Sequence, residues 1–253
     1  MSKRFYKNKA ILLGDVHCPF YHKKLFNNVI DLIKDTKPDK IILGGDFLDC
    51  YSLSRFDKSK SRAEDFYYEL TTAMQLLKRL HRAAPDASII FIEGNHCARL
   101  KKLLDSDMKA FRSLPELKLE NLLKLHLFNA RYHADFYKLN KNFIITHGFS
   151  CAKQSAKNEL EKWGISGCSF HVHRYNTSKK NYDERLIKSP LQWYSLGTLA
   201  DINQLDYAKQ FRSNWCNSFG FVEYDTKGHY MHVINANKNT GAFYCSLNGV
   251  HYG

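Results

Sequence analysis

The 253-residue chain lacks the features that would assign it to several common classes of protein. No apolar run approaches the roughly 18 residues that a membrane span needs, and the charged N-terminal residues 1–9 include no apolar signal region. The seven cysteines form no C-x-x-C pair, which argues against a disulfide framework and a thiolate zinc site. We therefore expect a cytoplasmic protein with reduced thiols and no membrane partner.

Acidic residues are scarce relative to basic ones, with 25 Asp and Glu against 38 Lys and Arg and a formal net charge of +13. A positive charge of this size concentrates polyanions near the protein surface. We expect nucleic acid, or another phosphate-rich molecule, as a partner. A lysine-rich surface that serves only solubility would have the same composition, and the sequence does not indicate an oligomeric state.

Four short apolar runs have the composition of buried strands. Each is followed by residues that bind metals, and α/β sheets place their ligands at the carboxyl ends of strands. We therefore expect these polar side chains to meet at one place. The runs and the residues after them are 10–13 with Asp15 and His17, 41–43 with Asp46, 88–92 with Asn95 and His96, and 142–146 with His147.

Helical periodicity between these runs predicts β-α-β units and a single domain over residues 1–253. Residues 99–128 are leucine-rich, and their position between two ligand-bearing strands indicates a helical cap or rim. A further helix is expected over 152–163, and an exposed basic loop over 174–188. Four later runs alternate in period two and predict antiparallel strands of a second sheet: 191–199, 219–224, 230–234 and 242–247.

Two histidines separated by Val172 complete a set of carboxylate, imidazole and amide ligands, since an extended backbone would point both to one side. A single histidine on a strand is more often structural, but here every candidate follows a strand. Mixed oxygen and nitrogen ligands suit Mn, Fe, Zn or Ni better than Ca, and seven groups are too many for one ion. Two metals about 3.5–4 Å apart would activate a bridging hydroxide for attack on phosphorus. The seven are Asp15, His17, Asp46, Asn95, His147, His171 and His173.

In this order the motifs resemble those of the calcineurin-like metallophosphoesterase superfamily: D-x-H, G-D-x-x-D, G-N-H, a lone H and G-H-x-H. Residues 15–20 and 96–99 look more like the small bacterial and phage-type phosphoesterases of this superfamily than like its protein phosphatases. The resemblance implies a four-layer α-β-β-α sandwich of two mixed sheets flanked by helices. The motifs stand at Asp15-Val-His17, Gly45-Asp-Phe-Leu-Asp49, Gly94-Asn-His96, His147 and Phe170-His-Val-His173.

The resemblance also implies roles for individual residues. One metal would take Asp15, His17, Asp46 and His173, and the other Asp46, Asn95, His147 and His171, with Asp46 as the bridge. His96 is similar to the family's non-ligand histidine, which stabilises the transition state or protonates the leaving oxygen, with Asp49 orienting it. Arg99, one helical turn later, is a candidate for the substrate phosphate. Mn is the ion that we favour, with Fe, Zn, Ni or Mg as alternatives.

The sequence departs from the pattern of the protein Ser/Thr phosphatases in this superfamily. Cys50 and Tyr51 stand where those enzymes have Arg-Gly, Cys97 replaces an acidic residue, and Phe170 replaces the glycine of the last motif. These departures argue against protein phosphatase activity. The resemblance, together with the net charge and the basic residues at 99–102 and 174–188, leads us to expect a phosphodiesterase or nuclease acting on nucleic acid or nucleotide-like diesters. The alternatives are a phosphomonoesterase for nucleotides or small phosphates and a nucleic-acid-binding protein without catalysis.

We expect the three cysteines nearest the motifs, Cys18, Cys97 and Cys168, to be packing thiols, with a redox role as the alternative.

Overall fold

The computed structural model describes residues 6–54, 65–181, 190–205 and 214–253. No helix in this part of the chain is long and apolar enough to cross a membrane. The helices are α1 (Lys23–Thr36), α2 (Phe66–Ala83), α3 (Arg99–Ser106), α4 (Leu119–Leu122) and α5 (Ser155–Trp163). The strands are β1 (Asn8–Leu13), β2 (Lys40–Gly44), β3 (Ser88–Ile92), β4 (Ala130–His133), β5 (Phe136–Asn140), β6 (Phe143–Thr146), β7 (Ser166–Ser169), β8 (Asn176–Lys180), β9 (Leu191–Ser195), β10 (Asn217–Tyr224), β11 (His229–Ala236), β12 (Phe243–Cys245) and β13 (Val250–Tyr252).

The first sheet has six strands in the order β11-β10-β1-β2-β3-β4. β1 to β4 are parallel, and the connections through α1 and α2 form the β-α-β units that the sequence predicts. β10 and β11 extend this sheet antiparallel beyond β1. The assignment of residues 219–224 and 230–234 to the second sheet is therefore wrong. Period-two alternation identifies a strand with two different faces but does not identify the distant strand that pairs with it.

The second sheet has five strands in the order β5-β6-β7-β9-β8. β6, β7 and β9 are parallel, so residues 191–199 do contribute a strand to this sheet but in a mixed rather than an antiparallel arrangement. Residues 242–247 contribute β12, which pairs with β13 apart from both sheets. β8 lies within the predicted basic loop 174–188, of which residues 182–188 fall outside the described part of the chain.

The sheets pack face to face, with helices on both outer surfaces. Alternate residues of β1 face opposite sides of the first sheet. Leu12 packs between the sheets with Phe143, and Ile11 packs against α1 and α2. On the far side, Leu160 of α5 packs against Trp193 of the second sheet. The predicted four-layer α-β-β-α sandwich of two mixed sheets is thus confirmed.

Residues 99–128 are less regular than their leucine pattern predicts. α3 is followed by short 3-10 turns and the single turn of α4, with Pro115 beginning one of the turns. Leu119, Leu123 and Phe128 are buried against the helix side of the first sheet, whereas residues 105–116 are exposed throughout. A leucine stripe therefore marks the buried positions here without requiring a continuous helix.

Candidate metal centre

The polar residues that follow the strands meet at the carboxyl ends of β1, β2, β3 and β6. Backbone bonds join their loops: Asp15 N donates to Gly45 O at 3.1 Å, and His17 N donates to Asp46 O at 2.9 Å. The second sheet is tied in as well, because the amide of His171, just after β7, donates to Asp15 Oδ2 at 2.8 Å. All seven sequence-predicted ligand residues lie in this one cluster.

The first group of candidate ligands is Asp15, His17 and His173, whose ligand atoms lie within 4.8 Å of one another. Nε2 of His17 is 3.1 Å from Nε2 of His173. Nδ1 of His17 faces the Asp49 carboxylate at 3.3 Å and carries its hydrogen there, so Nε2 presents a lone pair to the centre. Two ligands bonded to one metal at about 2.1 Å lie roughly 3.0–3.4 Å apart, which agrees with the spacing of the two nitrogens.

The second group is gathered around Nε2 of His147. This nitrogen lies 2.9 Å from Asn95 Oδ1 and 3.2 Å from Asp46 Oδ2. Nδ1 of His171 is also 3.2 Å from it. Asp46 lies within ligand distance of His17 as well, so its carboxylate stands between the two groups, where the resemblance places a bridge.

Five of the seven candidate ligands have a left-handed backbone. Such φ values cost a non-glycine residue on the order of 1–3 kcal/mol and cluster at functional sites. The prediction that an extended backbone would direct both His171 and His173 to one side is wrong, because each has a positive φ and both lie in the turn after β7. The five φ values are 49° for Asp15, 48° for His17, 43° for Asp46, 73° for His171 and 55° for His173.

Phe170, which replaces a glycine of the family pattern, fills a space left by two other glycines. A Cβ on Gly14 would lie 2.2 Å from Cδ1 of the Phe170 ring, and a Cβ on Gly44 would lie 2.0 Å from Cε2. The ring is therefore held between the ends of β1 and β2, beneath the candidate ligands. The departure at position 170 is accommodated by these glycines and leaves the neighbouring His171 in the centre.

Burial holds most of the imidazoles in the neutral form that binds metals. It lowers the pKa of His17 and, well below the usual range, that of His173. Burial and the neighbouring His147 lower the pKa of His171 to about 4. His147 is the exception: burial opposes its charge, but the Asp46 and Asp15 carboxylates and the Gly44 carbonyl together outweigh burial and raise the pKa of His147 to about 9.

Asp15 is the clearest sign that these residues fit a cation. Burial raises the pKa of its carboxyl group to about 8. Its Oδ1 accepts no hydrogen bond within residues 6–54, 65–181, 190–205 and 214–253, although it lies 3.7 Å from Nδ1 of His147. A buried carboxylate in this position is costly unless a positive charge lies beside it. The imidazole nitrogens and carboxylate oxygens of the cluster therefore fit divalent metal ions.

Asp49, His96 and Arg99 form a compact ionic group next to Asp46. Nδ1 of His96 lies 2.9 Å from the carbonyl O of Asp49, which only accepts, so Nδ1 carries the hydrogen. The Asp49 carboxylate is 3.3 Å from the same nitrogen and, on its other oxygen, 3.3 Å from His17. Arg99 donates from Nη1 to Asp49 O at 3.0 Å, and its Nη2 is 3.3 Å from Nε2 of His96. Burial would lower the pKa of His96, but Asp46 and Asp49 raise it.

His96 also lies within ligand distance of His17 and Asp46. Its two ring nitrogens already face other groups, Nδ1 facing Asp49 and Nε2 facing the Arg99 guanidinium. A cation so close to Nε2 disfavours a metal ion at that atom. The geometry thus supports the predicted role of His96 as a neighbour of the metals rather than a ligand.

Sequence reasoning missed an aromatic group beside the second ligand group. Phe136, Phe149 and Trp163 line a cleft together with Asn95 and His147. They come from β5, the loop after β6 and the end of α5, so no local motif unites them. The available signal was the position of Phe149, two residues after a candidate ligand.

The cysteines near the motifs are buried packing residues, as predicted: Cys18 and Cys168 are fully buried and Cys97 is 1% exposed. All seven cysteines are free thiols. The thiol that contacts a candidate ligand is instead that of Cys151, whose Sγ lies 3.0 Å from Nε2 of His171. The loop after β6 brings it there, and sequence distance alone did not indicate this contact.

Comparison with known proteins agrees with this geometry. A family model described as calcineurin-like phosphoesterase matches residues 9–217. The Gene 54 proteins of Mycobacterium phages D29 and L5 are 27% and 26% identical over 237 residues, and each alignment covers 89% of this chain and 90% of the relative. The structure of Vacuolar Protein Sorting 29 from Cryptosporidium parvum has a TM-score of 0.51 at 12% identity, covering 93% of this chain and 94% of that chain. The last likeness concerns the fold alone.

Proposed function

Because the chain belongs to the calcineurin-like phosphoesterase family, and is therefore a metal-dependent phosphoester hydrolase, we propose that it is a two-metal phosphodiesterase acting on nucleic acid or nucleotide-like diesters. The observation that carries this proposal is the pair of ligand groups that meet at Asp46. In the proposal one ion is held by Asp15, His17, Asp46 and His173, and the other by Asp46, Asn95, His147 and His171. The ions would supply an activated water and Lewis acidity at the phosphate.

The residues outside the ligand groups have complementary roles in this proposal. His96 is held by the Asp49 carbonyl at Nδ1, so its Nε2 is the ring atom able to give a proton to the leaving oxygen. The Arg99 guanidinium, with Nη2 at His96 and Nη1 on a backbone carbonyl, is fixed where a phosphate oxygen would approach. Asp49 positions both His96 and His17.

Charge and exposure favour a diester of nucleic acid over a small phosphate. Lys101 and Lys102 follow Arg99 on α3 and are exposed, which suits contacts with a neighbouring backbone phosphate. Asn95 is exposed to the cleft beside it, so a long substrate can pass the centre.

We further propose that residues 99–128 form one rim of the site, that Mn is the working ion and that the protein acts in the cytoplasm.

The test is a substrate panel on Mn-loaded protein: p-nitrophenyl phosphate, bis-p-nitrophenyl phosphate, a cyclic nucleotide and single- and double-stranded DNA. We expect cleavage of bis-p-nitrophenyl phosphate and DNA, and a loss of at least about 10³-fold in Asp46→Asn, since both ion sites lose their shared charge. Asp31→Asn, which removes an exposed partner of Lys34 on α1, is the matched control and should retain activity.

Two results would contradict the proposal. A preference for the monoester above about tenfold in kcat/KM, or roughly 1.4 kcal/mol in the barrier, would identify a phosphomonoesterase. Metal-loaded protein that binds DNA in a salt-dependent manner but cleaves no substrate would identify a binding protein.

A further inference from the structure

We propose that the three aromatic side chains beside the second ligand group, which we call the aromatic platform (Phe136, Phe149 and Trp163), stack on an unpaired base of a single-stranded nucleic acid. This inference rests on the proposed function and specifies the form of its substrate. The base would adjoin the phosphate that is cleaved, because the platform and the ligands Asn95 and His147 line the same cleft of about 360 Å³.

The platform is directly joined to the metal centre. Phe149 is two residues after His147, and Phe136 of β5 is paired in register with Thr146, the residue before His147. Phe136 and Trp163 contact each other edge to face, with ring centroids 5.2 Å apart. A ligand on these rings would therefore lie beside the second ligand group.

A buried carboxylate holds the platform in place. Glu159 is 1% exposed, and its Oε1 accepts hydrogen bonds from Phe149 N at 2.6 Å and Ser150 N at 3.3 Å. Its Oε2 accepts from Nε1 of Trp163 at 3.1 Å. One side chain thus fixes both the loop that carries Phe149 and the indole of Trp163, so little ordering remains to be done when a ligand binds.

Two rings of the platform are exposed and are therefore available to a planar ligand. Phe149 is 50% exposed and Phe136 is 41% exposed, although both adjoin a functional cleft. Bases stack on aromatic side chains without regard to sequence, and they are accessible for stacking in single strands but not within a duplex. The platform therefore selects single-stranded substrate.

Charged neighbours favour a base over a second phosphate at this position. Glu93 and Asp135 line the same cleft, and these carboxylates would repel a phosphate while accepting from the amino groups of bases. Lys162 places Nζ 4.0 Å from the centroid of Phe149 and 5.2 Å from that of Trp163. This exposed lysine can move aside for a base and then meet the phosphate on its outer side.

The experiment measures base-dependent binding to the Mn-loaded protein. Fluorescence anisotropy gives the affinity for a phosphorothioate oligodeoxycytidylate of about 12 nucleotides, whose bases carry amino groups and whose backbone resists cleavage, and for an abasic strand with the same backbone. We expect wild type to prefer the strand with bases about tenfold, Phe149→Ala to lose this preference and Phe149→Tyr to keep it. Tyr244→Ala removes a ring that is 59% exposed on β12 and should bind both strands as wild type does.

Several outcomes would overturn the inference: no base preference in wild type, an unchanged preference in Phe149→Ala, or an equal loss in Tyr244→Ala. A change of oligomeric state in Phe149→Ala would also overturn it, because the platform would then be an interface between copies of the chain. Hydrolysis of bis-p-nitrophenyl phosphate by wild type separates the two proposals. If it is cleaved without any base preference, this inference alone fails; if no diester is cleaved, the proposed function fails.

Discussion

The two sides of the candidate metal centre are built differently. On one side, which we call the closed side, Asp49, His96 and Arg99 are packed together, and the Asp49 side chain is fully buried with His17, His96 and Arg99 all within 3.6 Å of its oxygens. On the other, the open side, Asn95 and the aromatic platform line a cleft and present exposed surface. Groups whose proton or charge must be fixed are enclosed, whereas groups that would meet a varied substrate are accessible.

The comparison leads to different expectations for the two sides. Substitutions on the closed side should change the rate of the chemical step or the affinity for metals, because they alter charges that are shielded from water. Substitutions in the aromatic platform of the open side should change the affinity for long substrates, as argued for Phe149. The contrast fails if closed-side variants alter only substrate affinity.

After Asp46→Asn, the largest effect is expected on the closed side, at His96. His96→Ala should lower kcat on DNA by about 10²–10⁴-fold, because the proton for the leaving oxygen is lost. The loss should be much smaller with bis-p-nitrophenyl phosphate, whose p-nitrophenolate leaves without protonation. Steady-state kinetics on both substrates check this, and His232→Ala, which removes a distant histidine paired with Glu223, is the control. Equal losses on both substrates would show that His96 does not act as the acid.

A smaller effect is expected at Asp49, which acts through its neighbours. Asp49→Asn keeps the backbone carbonyl that orients His96 but removes the charge that faces Nδ1 of His17. Loss of such a partner typically lowers metal affinity or activity by about 10–100-fold. A Mn titration followed by activity should therefore shift to higher Mn concentration, and excess Mn should restore part of the rate. Glu223→Gln, at the distant His232 pair, should leave the titration unchanged. A loss that no Mn concentration relieves would assign Asp49 to the chemical step.

The sequence could predict that the candidate ligands would lie together, because their positions follow from local signals, whereas the roles expected of Asp49 and His96 on the closed side came from the family resemblance. Asp15, Asp46 and Asn95 each stand directly after a short apolar run, and the ends of parallel strands meet by topology. The open side could not be predicted in the same way. Phe136, Phe149 and Trp163 come together only through the pairing of β5 with β6 and the packing of α5.

Long-range pairing also explains the errors in the fold. Residues 219–224 have the alternation of a strand, but only the register of Ile11 with Phe221 places that strand in the first sheet. Likewise, nothing near Phe170 in the sequence indicates that its ring fits between Gly14 and Gly44. The prediction of an extended backbone at His171 and His173 was wrong because the H-x-H spacing is the same in a strand and in a turn whose residues have positive φ.

The smallest effect on activity is expected at Glu69, which lies behind the closed side. Its substitution should change the stability of the protein instead. Its fully buried carboxylate accepts from N and Oγ of Ser52 at 3.1 and 3.2 Å, and burial raises its pKa from the usual 4.5 to about 7. The native state therefore binds this proton more tightly than the unfolded state. The contribution of Glu69 to the free energy of unfolding should therefore fall as pH rises from about 4.5 through 7, by at most about 3 kcal/mol, and the difference between wild type and a Glu69 variant isolates it from the histidines that titrate in the same range.

Glu69→Gln removes this pH dependence, because the amide still accepts from Ser52 but does not ionise. Urea unfolding in chelator should give similar stabilities for variant and wild type at pH 4.5, and a more stable variant at pH 8. Glu161→Gln, at an exposed glutamate of α5, should show no such difference. A variant that is less stable than wild type at pH 8 would mean that the Glu69 charge is stabilised in the native state. In that case the group of paired, buried charges on the closed side would not end at Asp49 but would also include Glu69 on α2.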